Sequence, residues 1–448
     1  MSGSEGRGST LPGAWSLEPG ALQQQGLGHA AMDHHQNSGL QLEGFGLEKA
    51  AMGKERKEGQ RRGKLMNLPY DILLEILSRL PARFLLQCRC VCKSWLTLVR
   101  DPRLAKMHLA RASQHRNPSL IFNFRDNGTA DLNLILNFHV NGNRVLYLFD
   151  LNEEGCEAVT IELPFLSSGS PNPFSILGSC NGLVCVARGF SLPSDPDIYI
   201  FNPITRECTM LPEPCIAHTS RADYAFGYHP ATDEYKVVRT LFTGTNPLTG
   251  SYQTKVEVYT LGSKSWRRLE DTEFLLWASP SSLVNGAIHW LSGYHLGSGI
   301  YLIVYFDVGD EEFRVLDPPS ELNPSREKGC ASLVVLEGCL SLAYAPDDGG
   351  SLVVWVMKEY GVKESWTKQF VIQRGAVFPP MNYLQLLCLL KNGEILLEHT
   401  IKRLFCYNPN TKMVRHLAIH DLPNWIMHPT HTYVQSLVSL WTNNGAEE

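Results

Sequence analysis

Few residues in this 448-residue chain have the types and spacing that catalysis or metal binding requires. Cys88 and Cys92 are four residues apart and would share a face of one helix, but no second Cys or His pair matches them as a zinc site needs. Asp347 and Asp348 form an acidic pair, but two glycines follow them, which is typical of a loop rather than of an acid–base pair. Neither group therefore predicts a metal or a catalytic site.

The histidine pairs are no closer to a site. His289 and His295 are six residues apart and His428 and His431 are three apart, which favours turn or core histidines over metal ligands. The sequence has no nucleophile elbow, Walker loop, dinucleotide-binding fingerprint or His-Glu-x-x-His helix. We therefore expect no catalytic residues, no metal and no cofactor, and look for binding surfaces instead.

Composition narrows the class of protein. Hydrophobic residues make up 44% of the chain and charged residues 19%, which indicates a mostly globular protein. The net charge of -5 argues against a general nucleic-acid binder. Apolar runs fall far short of the roughly 20 residues of a membrane span, and the N-terminus has no signal-peptide core. We expect a cytoplasmic or nuclear protein whose 12 cysteines are reduced, small core residues, with no nucleic-acid or membrane partner.

Residues 1–64 show no periodicity and contain scattered Gly, Ser and Gln. This stretch buries too little apolar surface to offset the entropy of ordering, so we predict a disordered tail. Its end, residues 54–64, is basic. The run fits either a nuclear-import signal or a solvated linker, and the linker is the simpler interpretation.

Residues 65–112 change to a helical pattern, and the first helix is amphipathic. Pro69 suits a first turn, where its missing N–H would have no partner in any case, and Pro81 ends the helix. On a helical wheel the apolar and charged side chains separate, with Leu74 as the one apolar misfit. The apolar side consists of Ile72, Leu73, Ile76, Leu77 and Leu80.

Two more helical stretches follow, one from Ala82 and one from about Cys90 to Arg100. We expect Asp101-Pro102 to stop the last one. Its apolar side consists of Val91, Cys92, Trp95, Leu96, Leu98 and Val99. The three helices form a unit of fewer than 50 residues, and a unit this small is marginal alone and tends to be completed by a partner.

From about residue 113 the pattern changes to short strands, and a hairpin recurs. In each copy an aromatic residue starts the first strand and a leucine ends the second strand ten positions later. Four copies span 201–211, 259–269, 306–316 and 407–417, and longer variants begin at Phe149 and Trp355. The six aromatic anchors are 47 to 58 residues apart, which indicates a repeat of about fifty residues.

A second pair of strands lies between these hairpins. Its tight turns are Asn181-Gly182, Asn285-Gly286, Glu337-Gly338 and Asn392-Gly393. Asn-Gly favours a type I′ hairpin turn. Each repeat thus has four strands, the unit of a kelch-like β-propeller. The predicted blades span 119–163, 174–211, 224–269, 282–316, 330–370 and 384–419.

The strand-like stretch 433–440 is left over. It either closes the ring by pairing with the first blade or belongs to an incomplete seventh blade. The predicted fold class is multidomain, α plus all-β. A disordered tail (1–64) precedes a three-helix unit (65–112), which precedes a propeller of six or seven blades (113–442).

These segments resemble a known plant family. Residues 68–81, 90–95 and Asp101-Pro102 resemble an F-box, with Leu68-Pro69 and Trp95 at the expected places. Downstream, residues 178–183, Phe201-Asn202-Pro203 and Gly227-Tyr228 resemble the plant-type F-box-associated domain. Together the two similarities cover about four-fifths of the chain.

The resemblance implies a division of labour. The F-box would bind a Skp-type adaptor and through it a cullin scaffold, the propeller would hold a target protein, and other subunits would transfer ubiquitin. The adaptor contact implied by the family falls on Leu68, Pro69, Ile72, Ile76, Leu80, Pro81, Val91, Cys92 and Trp95. The alternative, in which these residues only form the core of the helical unit, stays open at this stage.

Target binding is expected on the face of the propeller that carries the long loops. Turns within the hairpins are short, whereas the connections at 164–173, 189–196, 212–223, 243–253, 270–281, 293–299, 317–329 and 371–383 are long. Loops on a rigid scaffold often carry recognition. The candidate anchors are Phe190, Arg221, Trp277, Tyr294, His295 and Phe378. Each of them fits equally well as a cap on the end of a blade.

Three interpretations of function remain. The first is the substrate receptor of a ubiquitin ligase. The second is an F-box protein with a non-degradative assembly role. The third, a propeller-fold enzyme, rests on fold analogy alone.

Overall fold

The computed structural model describes residues 68–115, 117–125, 144–151, 158–165, 174–189, 195–216, 222–247, 249–276, 281–293, 301–322, 329–346, 350–373, 384–399, 403–417 and 430–441. The predicted tail and its basic end lie outside these ranges. Residues 65–448 belong to one compact unit. Its described part combines a helical unit at the N-terminal end with a propeller, as the sequence predicts.

The helical unit contains a fourth helix that the sequence did not predict. Its helices are α1 (Tyr70–Leu77), α2 (Ala82–Cys88), α3 (Lys93–Val99) and α4 (Pro102–His115). Pro69 precedes the first helical residue instead of lying within the first turn. The 14-residue α4 extends beyond the predicted boundary at 112. Asp101-Pro102, predicted as a stop signal, therefore also starts a helix.

The buried face of α1 differs from the predicted apolar side. Leu73, Leu74 and Leu77 are buried, and Leu74, the misfit of the wheel, is only 2% exposed. Ile72 and Ile76 are exposed on the other side. Because α2, α3 and α4 cover only one face of this short helix, the wheel merged two faces with different environments.

Cys88 and Cys92 do not share a helix face. Cys88 is the last residue of α2 and Cys92 precedes α3, with a turn between them. In the described residues no group of three or more His, Cys, Asp or Glu is placed to hold a metal ion. Cys180, Cys185, Cys388 and Cys406 are buried in the core as predicted, whereas Cys90, Cys92 and Cys215 are exposed. Burial raises the pKa of the Cys388 thiol to about 12.

The described strands form six four-stranded antiparallel sheets, which are the blades. Blades one to three contain β1 (Ser119–Arg125), β2 (Arg144–Asp150), β3 (Val159–Ile161), β4 (Phe174–Cys180), β5 (Leu183–Arg188), β6 (Asp197–Phe201), β7 (Cys208–Met210), β8 (Ala222–His229), β9 (Glu234–Thr245), β10 (Tyr252–Thr260) and β11 (Arg267–Arg268). Blades four to six contain β12 (Ser282–Val284), β13 (Ala287–Gly293), β14 (Tyr301–Asp307), β15 (Phe313–Leu316), β16 (Gly329–Leu336), β17 (Cys339–Pro346), β18 (Leu352–Met357), β19 (Trp366–Ile372), β20 (Leu384–Leu389), β21 (Ile395–His399), β22 (Arg403–Tyr407) and β23 (Val414–Leu417).

The last strand, β24 (His431–Tyr433), decides how the ring closes. It pairs antiparallel with β1, so blade 1 takes its innermost strand from the far end of the chain. The leftover stretch thus closes the ring, and no seventh blade is present among the described residues. Of the stretch 433–440, only Tyr433 is in a strand, and residues 434–440 follow an irregular path.

The recurring aromatic anchors explain why the blades pack. All six lie on the third strand of a blade and are buried: Phe149, Phe201, Tyr259, Phe306, Trp355 and Tyr407. Apolar clusters join each blade to the next, and the last cluster joins Leu396 and Leu404 of blade 6 to Leu120 and Phe122 of blade 1. Each blade therefore buries both faces only because it has two neighbours.

The tight turns largely follow the predicted chemistry. Asn181-Gly182 and Asn285-Gly286 have positive φ at both positions, as a type I′ turn requires. Glu337-Gly338 does the same, whereas at Asn392-Gly393 only the glycine has positive φ, so this turn is not type I′.

One predicted loop is largely a hairpin. In the stretch 243–253, β9 and β10 stay paired as far as Thr245 and Tyr252, and only the residues between them form the turn.

None of the helices in the described ranges is both long enough and apolar enough to cross a membrane.

Candidate docking surfaces

An apolar stripe runs along the outer side of α1. Leu68 and Pro69 lead into it, and Ile72 and Ile76 continue it with 47% and 40% of their surface exposed. The opposite side of the same helix is buried in the core of the helical unit. Large aliphatic side chains gain free energy when they leave water, so a stripe of this kind marks a surface that favours a partner.

The other predicted adaptor residues are divided between exposed and half-buried positions. Val91 is 65% exposed, and Cys92 beside it is exposed, in the turn between α2 and α3. Leu80, Pro81 and Trp95 are half-buried. Leu80 and Trp95 pack against the core of the helical unit, so they are part of its interior as well as of its surface.

Two exposed aromatic residues of the helical unit were missed from the sequence. Tyr70 starts α1, and Phe84 lies in the first turn of α2. The Arg103 guanidinium lies 5.2 Å from the centre of the Tyr70 ring, and that of Arg83 lies at the same distance from the Phe84 ring. A wheel for α2 would have found Phe84, because the buried Ala82 and Leu85 define the other face.

Ion pairs hold the helices together beside the apolar stripe. The Glu75 carboxylate accepts hydrogen bonds from Arg79 at 2.8 Å and from Arg111 of α4 at 2.6 Å. These bonds hold the pKa of Glu75 below its usual value. Both arginines are at least partly exposed to solvent. The contacts therefore orient α1 on α4 more than they stabilise the fold.

The link between α3 and α4 is a capped helix start. Asp101 accepts a hydrogen bond from the backbone N–H of Arg103 at 2.8 Å, which satisfies a free donor of the first turn. Its other oxygen accepts the Tyr70 hydroxyl at 2.8 Å. Burial opposes ionisation, but the bonds from Tyr70 and Arg103 hold the pKa of Asp101 below its ordinary value. One carboxylate thus joins the start of α1 to the start of α4.

Comparison with known proteins accounts for both parts of the fold. Residues 65–107 match the family model of the F-box domain, and residues 133–439 match that of the F-box associated beta propeller domain. The chain is a member of the F-box-associated propeller family. The helical unit is therefore the F-box, and the ring of blades is the F-box-associated propeller.

Relatives in Arabidopsis thaliana align with at least two thirds of this chain. "F-box protein At3g07870" is 33% identical over 420 residues, which cover 85% of this chain and 93% of that protein. "F-box protein CPR1" is 30% identical over 384 residues, covering 80% and 86%. "F-box/kelch-repeat protein At3g23880" is 27% identical over 328 residues, covering 67% and 78%.

The F-box contacts the propeller at the side of its short turns. Lys106 of α4 lies 2.7 Å from the Asp233 carboxylate in the turn between the first two strands of blade 3. Ile204, in the turn between the last two strands of blade 2, packs against the F-box core. In an antiparallel blade these turns share one edge, and the other connections leave from the opposite edge.

The predicted target-binding residues cannot be placed on that opposite edge. Phe190, Arg221, Trp277, Tyr294, His295 and Phe378 all lie outside the described residues. Their connections, however, leave the blades from the edge opposite the F-box contacts. Their role in target binding stays a prediction.

A buried ionic cluster lies beneath two of these connections, and sequence reasoning missed it. Arg239 of β9 and Glu257 of β10 are direct cross-strand partners, each 1% exposed, and they form a hydrogen-bonded ion pair. The Arg239 guanidinium also donates to Asp195 at 2.8 Å and to the Ile216 carbonyl at 3.0 Å. Asp195 precedes β6 and Ile216 follows β7. The cluster therefore attaches the described ends of two long connections, one before β6 and one after β7, to strands β9 and β10 of blade 3.

Proposed function

We propose that this chain is the substrate-recognition subunit of a Skp–cullin–F-box ubiquitin ligase. The observation that carries the proposal is the apolar stripe of Leu68, Pro69, Ile72 and Ile76, exposed together with the nearby turn residue Val91 on a domain that matches the F-box family. A Skp-type adaptor that covers the stripe would complete the small helical unit. The adaptor would connect the chain to a cullin scaffold.

The propeller supplies the second half of the proposal. Its short-turn edge contacts the F-box, so the long connections on the other edge are free to receive a target protein. Other subunits of the ligase transfer ubiquitin, and this chain contributes proximity and orientation without a catalytic group of its own.

Adaptor binding can be tested on residues outside the F-box core. The double variant Ile72→Ala and Ile76→Ala removes exposed methyl groups while the buried Leu73, Leu74 and Leu77 remain. We expect a loss of about 2 kcal/mol or more, which is about a 30-fold rise in Kd for a purified Skp-type adaptor. Isothermal titration calorimetry measures the Kd, and circular dichroism checks the fold.

The matched control removes exposed aliphatic groups from the propeller. Val159→Ala with Val371→Ala changes two residues on outer strands of blades 1 and 5, both exposed. The control should bind the adaptor like the wild type. Equal Kd values for all three proteins, or no binding by the wild type, would contradict the docking surface.

The fate of bound proteins separates the ligase from an assembly factor. Partners captured by the propeller should have longer half-lives in cells that carry the Ile72→Ala and Ile76→Ala variant than in cells that carry the Val159→Ala and Val371→Ala control. Unchanged half-lives, with adaptor binding lost, would favour the non-degradative assembly role.

A further inference from the structure

The chain that follows β24 runs between the F-box and the propeller. We call residues 434–441 the C-terminal segment. On the F-box side, Leu437 is 4% exposed and belongs to the same buried cluster as Leu77, Leu98 and Leu104. A residue from the far end of the chain is therefore an integral part of the F-box core.

On the propeller side, one asparagine holds the backbone of the segment. Asn202, in the turn between β6 and β7, is completely buried, and its Nδ2 donates to the carbonyls of Ser436 at 3.2 Å and Val438 at 2.8 Å. Its Oδ1 accepts the N–H of Ile204 at 2.8 Å and so shapes its own turn. The Asn202 side chain therefore holds the segment with its nitrogen and shapes the turn with its oxygen.

Further contacts fix both ends of the segment. The Glu207 carboxylate accepts the N–H of Leu440 and the hydroxyl of Ser439, both at 2.8 Å, and Leu440 is buried in the core between blades 2 and 3. The Ser436 hydroxyl donates to the carbonyl of Asn181 at 2.6 Å. The segment is thus bound along its length to the short-turn edge of blade 2.

The fit at Gly182 leaves no space between the segment and the blade. A Cβ atom at Gly182 would collide with the Ser436 hydroxyl oxygen and would lie 2.6 Å from Ser436 Cβ and 2.9 Å from the carbonyl oxygen of Val434. Because a Cβ and a backbone carbonyl are among these atoms, a change of rotamer would not remove the collision. The segment would have to move.

The direct polar contact between the F-box and the propeller is weak by comparison. The Lys106–Asp233 pair is exposed at 63% and 51% of its side chains, and pairs of this kind contribute little free energy. Hydrogen bonds from Lys106 and then from Tyr228 hold the pKa of Asp233 below its usual value, so the pair is formed at neutral pH. Formation of this pair can therefore be used to detect the orientation of the F-box, although the pair contributes little free energy to that orientation.

We propose that the C-terminal segment holds the F-box in one orientation on the propeller. Leu437 fills the F-box core, while Asn202, Glu207 and the turn at Gly182 hold the backbone on blade 2. The inference deepens the proposed function, on which it rests, because a fixed orientation sets where a bound target lies relative to the adaptor. Asn202, Glu207 and Leu437 are positioning residues in this sense.

Two variants displace the segment, and each has a matched control. Asn202→Asp keeps the oxygen that accepts the turn N–H but places a second oxygen against the carbonyls of Ser436 and Val438. Its control is Asn408→Asp in the equivalent turn of blade 6. There Oδ1 accepts the N–H of Asn410, and the described residues offer Nδ2 no acceptor. Gly182→Ala and Gly338→Ala place a Cβ at similar φ angles, 84° and 80°, but nothing lies within 4 Å of the second site. The left-handed strain is therefore shared, and only the collision differs.

The readout of orientation is a zero-length carbodiimide cross-link between Lys106 and Asp233, quantified by peptide mass spectrometry on the full chain. Lys106→Arg gives the background. We expect both segment variants to lower the yield at least fivefold and to speed hydrogen exchange of residues 434–441 at least tenfold. The two controls should stay within twofold of the wild type, and the adaptor Kd should not change in any of these four variants.

Three other outcomes would contradict the proposal. Faster exchange with an unchanged cross-link yield would show that the orientation does not depend on the segment, and unprotected amides at Val438 and Leu440 in the wild type would show that the segment is not bound. Equal losses in each variant and its control would assign the effect to the turns. Failure of the wild type to bind the adaptor would overturn the proposed function and leave the cross-link result intact.

Discussion

Two buried basic residues show how the propeller treats charge at the residue scale. Arg239 stays ionised because Glu257 and Asp195 neutralise it and a carbonyl completes its hydrogen bonds. His289, which has no exposed surface, lies between two neutral groups, the Ser282 carbonyl at 3.1 Å and the Tyr360 hydroxyl at 2.9 Å. Burial lowers the pKa of His289 to about 4, so the ring is neutral at pH 7.

The neutral His289 predicts a pH dependence of stability. Its pKa is about 6.5 in the unfolded chain and about 4 in the folded protein, so on acidification the unfolded state takes up the proton first. The stabilisation is complete above pH 6.5 and declines as the pH falls towards 4, by about 3 kcal/mol in all. Urea unfolding of His289→Gln across this range should have a flatter pH profile than the wild type. His416→Gln, at an exposed site, should keep the wild-type profile, and equal profiles for all three proteins would contradict the assignment.

The residue scale also shows what the sequence can predict. His289 was expected to be a core or turn histidine rather than a metal ligand, and its burial confirms the first. Arg239 and Glu257 were missed, although each interrupts an apolar stretch on consecutive strands. Their pairing depends on the register of a hairpin that was interpreted as a loop, so the signal was present but could not be aligned.

At the element scale, the start of α4 depends on one carboxylate. Asp101 caps the helix through the N–H of Arg103, and Pro102 fits the first helical position because its missing N–H would be free there. In the sequence alone, the same two residues indicated only the end of a helix. A cap followed by proline is a start signal as well, and only the continued apolar pattern beyond it distinguishes the two uses.

The cap predicts a measurable loss of stability. Asp101→Ala removes the bond to Arg103 and the acceptor of the Tyr70 hydroxyl, so we expect a loss of about 1 to 2 kcal/mol. Asp71→Ala is the control, because its side chain is 85% exposed and its ion pair with Arg103 spans 3.5 Å. Chemical denaturation of the full chain measures both. A loss for Asp71→Ala as large as that for Asp101→Ala would contradict a specific capping role.

Strands were predicted better than helices because their signal repeats. The six aromatic anchors mark the third strand of every blade, and most turn residues between the first two strands carry the positive φ that Asn-Gly predicts. The first three helices are each only about two turns long, and the partner-facing and core-facing apolar residues lie side by side on α1. A wheel cannot separate those two faces without knowing what covers each of them.

At the scale of the whole molecule, the far end of the chain has two separate structural roles. β24 supplies the inner strand of blade 1, and Tyr433 is buried between blades 1 and 2. The C-terminal segment then joins blade 2 to the F-box core through Leu437. The sequence repeat left six or seven blades open and offered ring closure by residues 433–440 as one of two alternatives. The contacts of the C-terminal segment with blade 2 and the F-box were not predicted, since they join positions more than 200 residues apart.

Truncation separates the two roles. A variant that ends at Tyr433 keeps the ring closed and should retain most of the wild-type resistance of the propeller to unfolding, while hydrogen exchange in α1 to α4 rises because Leu437 is missing from the F-box core. A variant that ends at residue 429 also loses β24 and Tyr433, so blade 1 is left with three strands and an open core. We expect the free energy of unfolding of the propeller to fall by at least about 4 kcal/mol and its unfolding to spread over a broader range of urea concentration. Tryptophan fluorescence in urea and hydrogen exchange measure the two effects, with the variant that ends at Trp441 as the reference. If the variant ending at residue 429 unfolded as cooperatively as the reference, the stability of the ring would not depend on the pairing of β24 with β1.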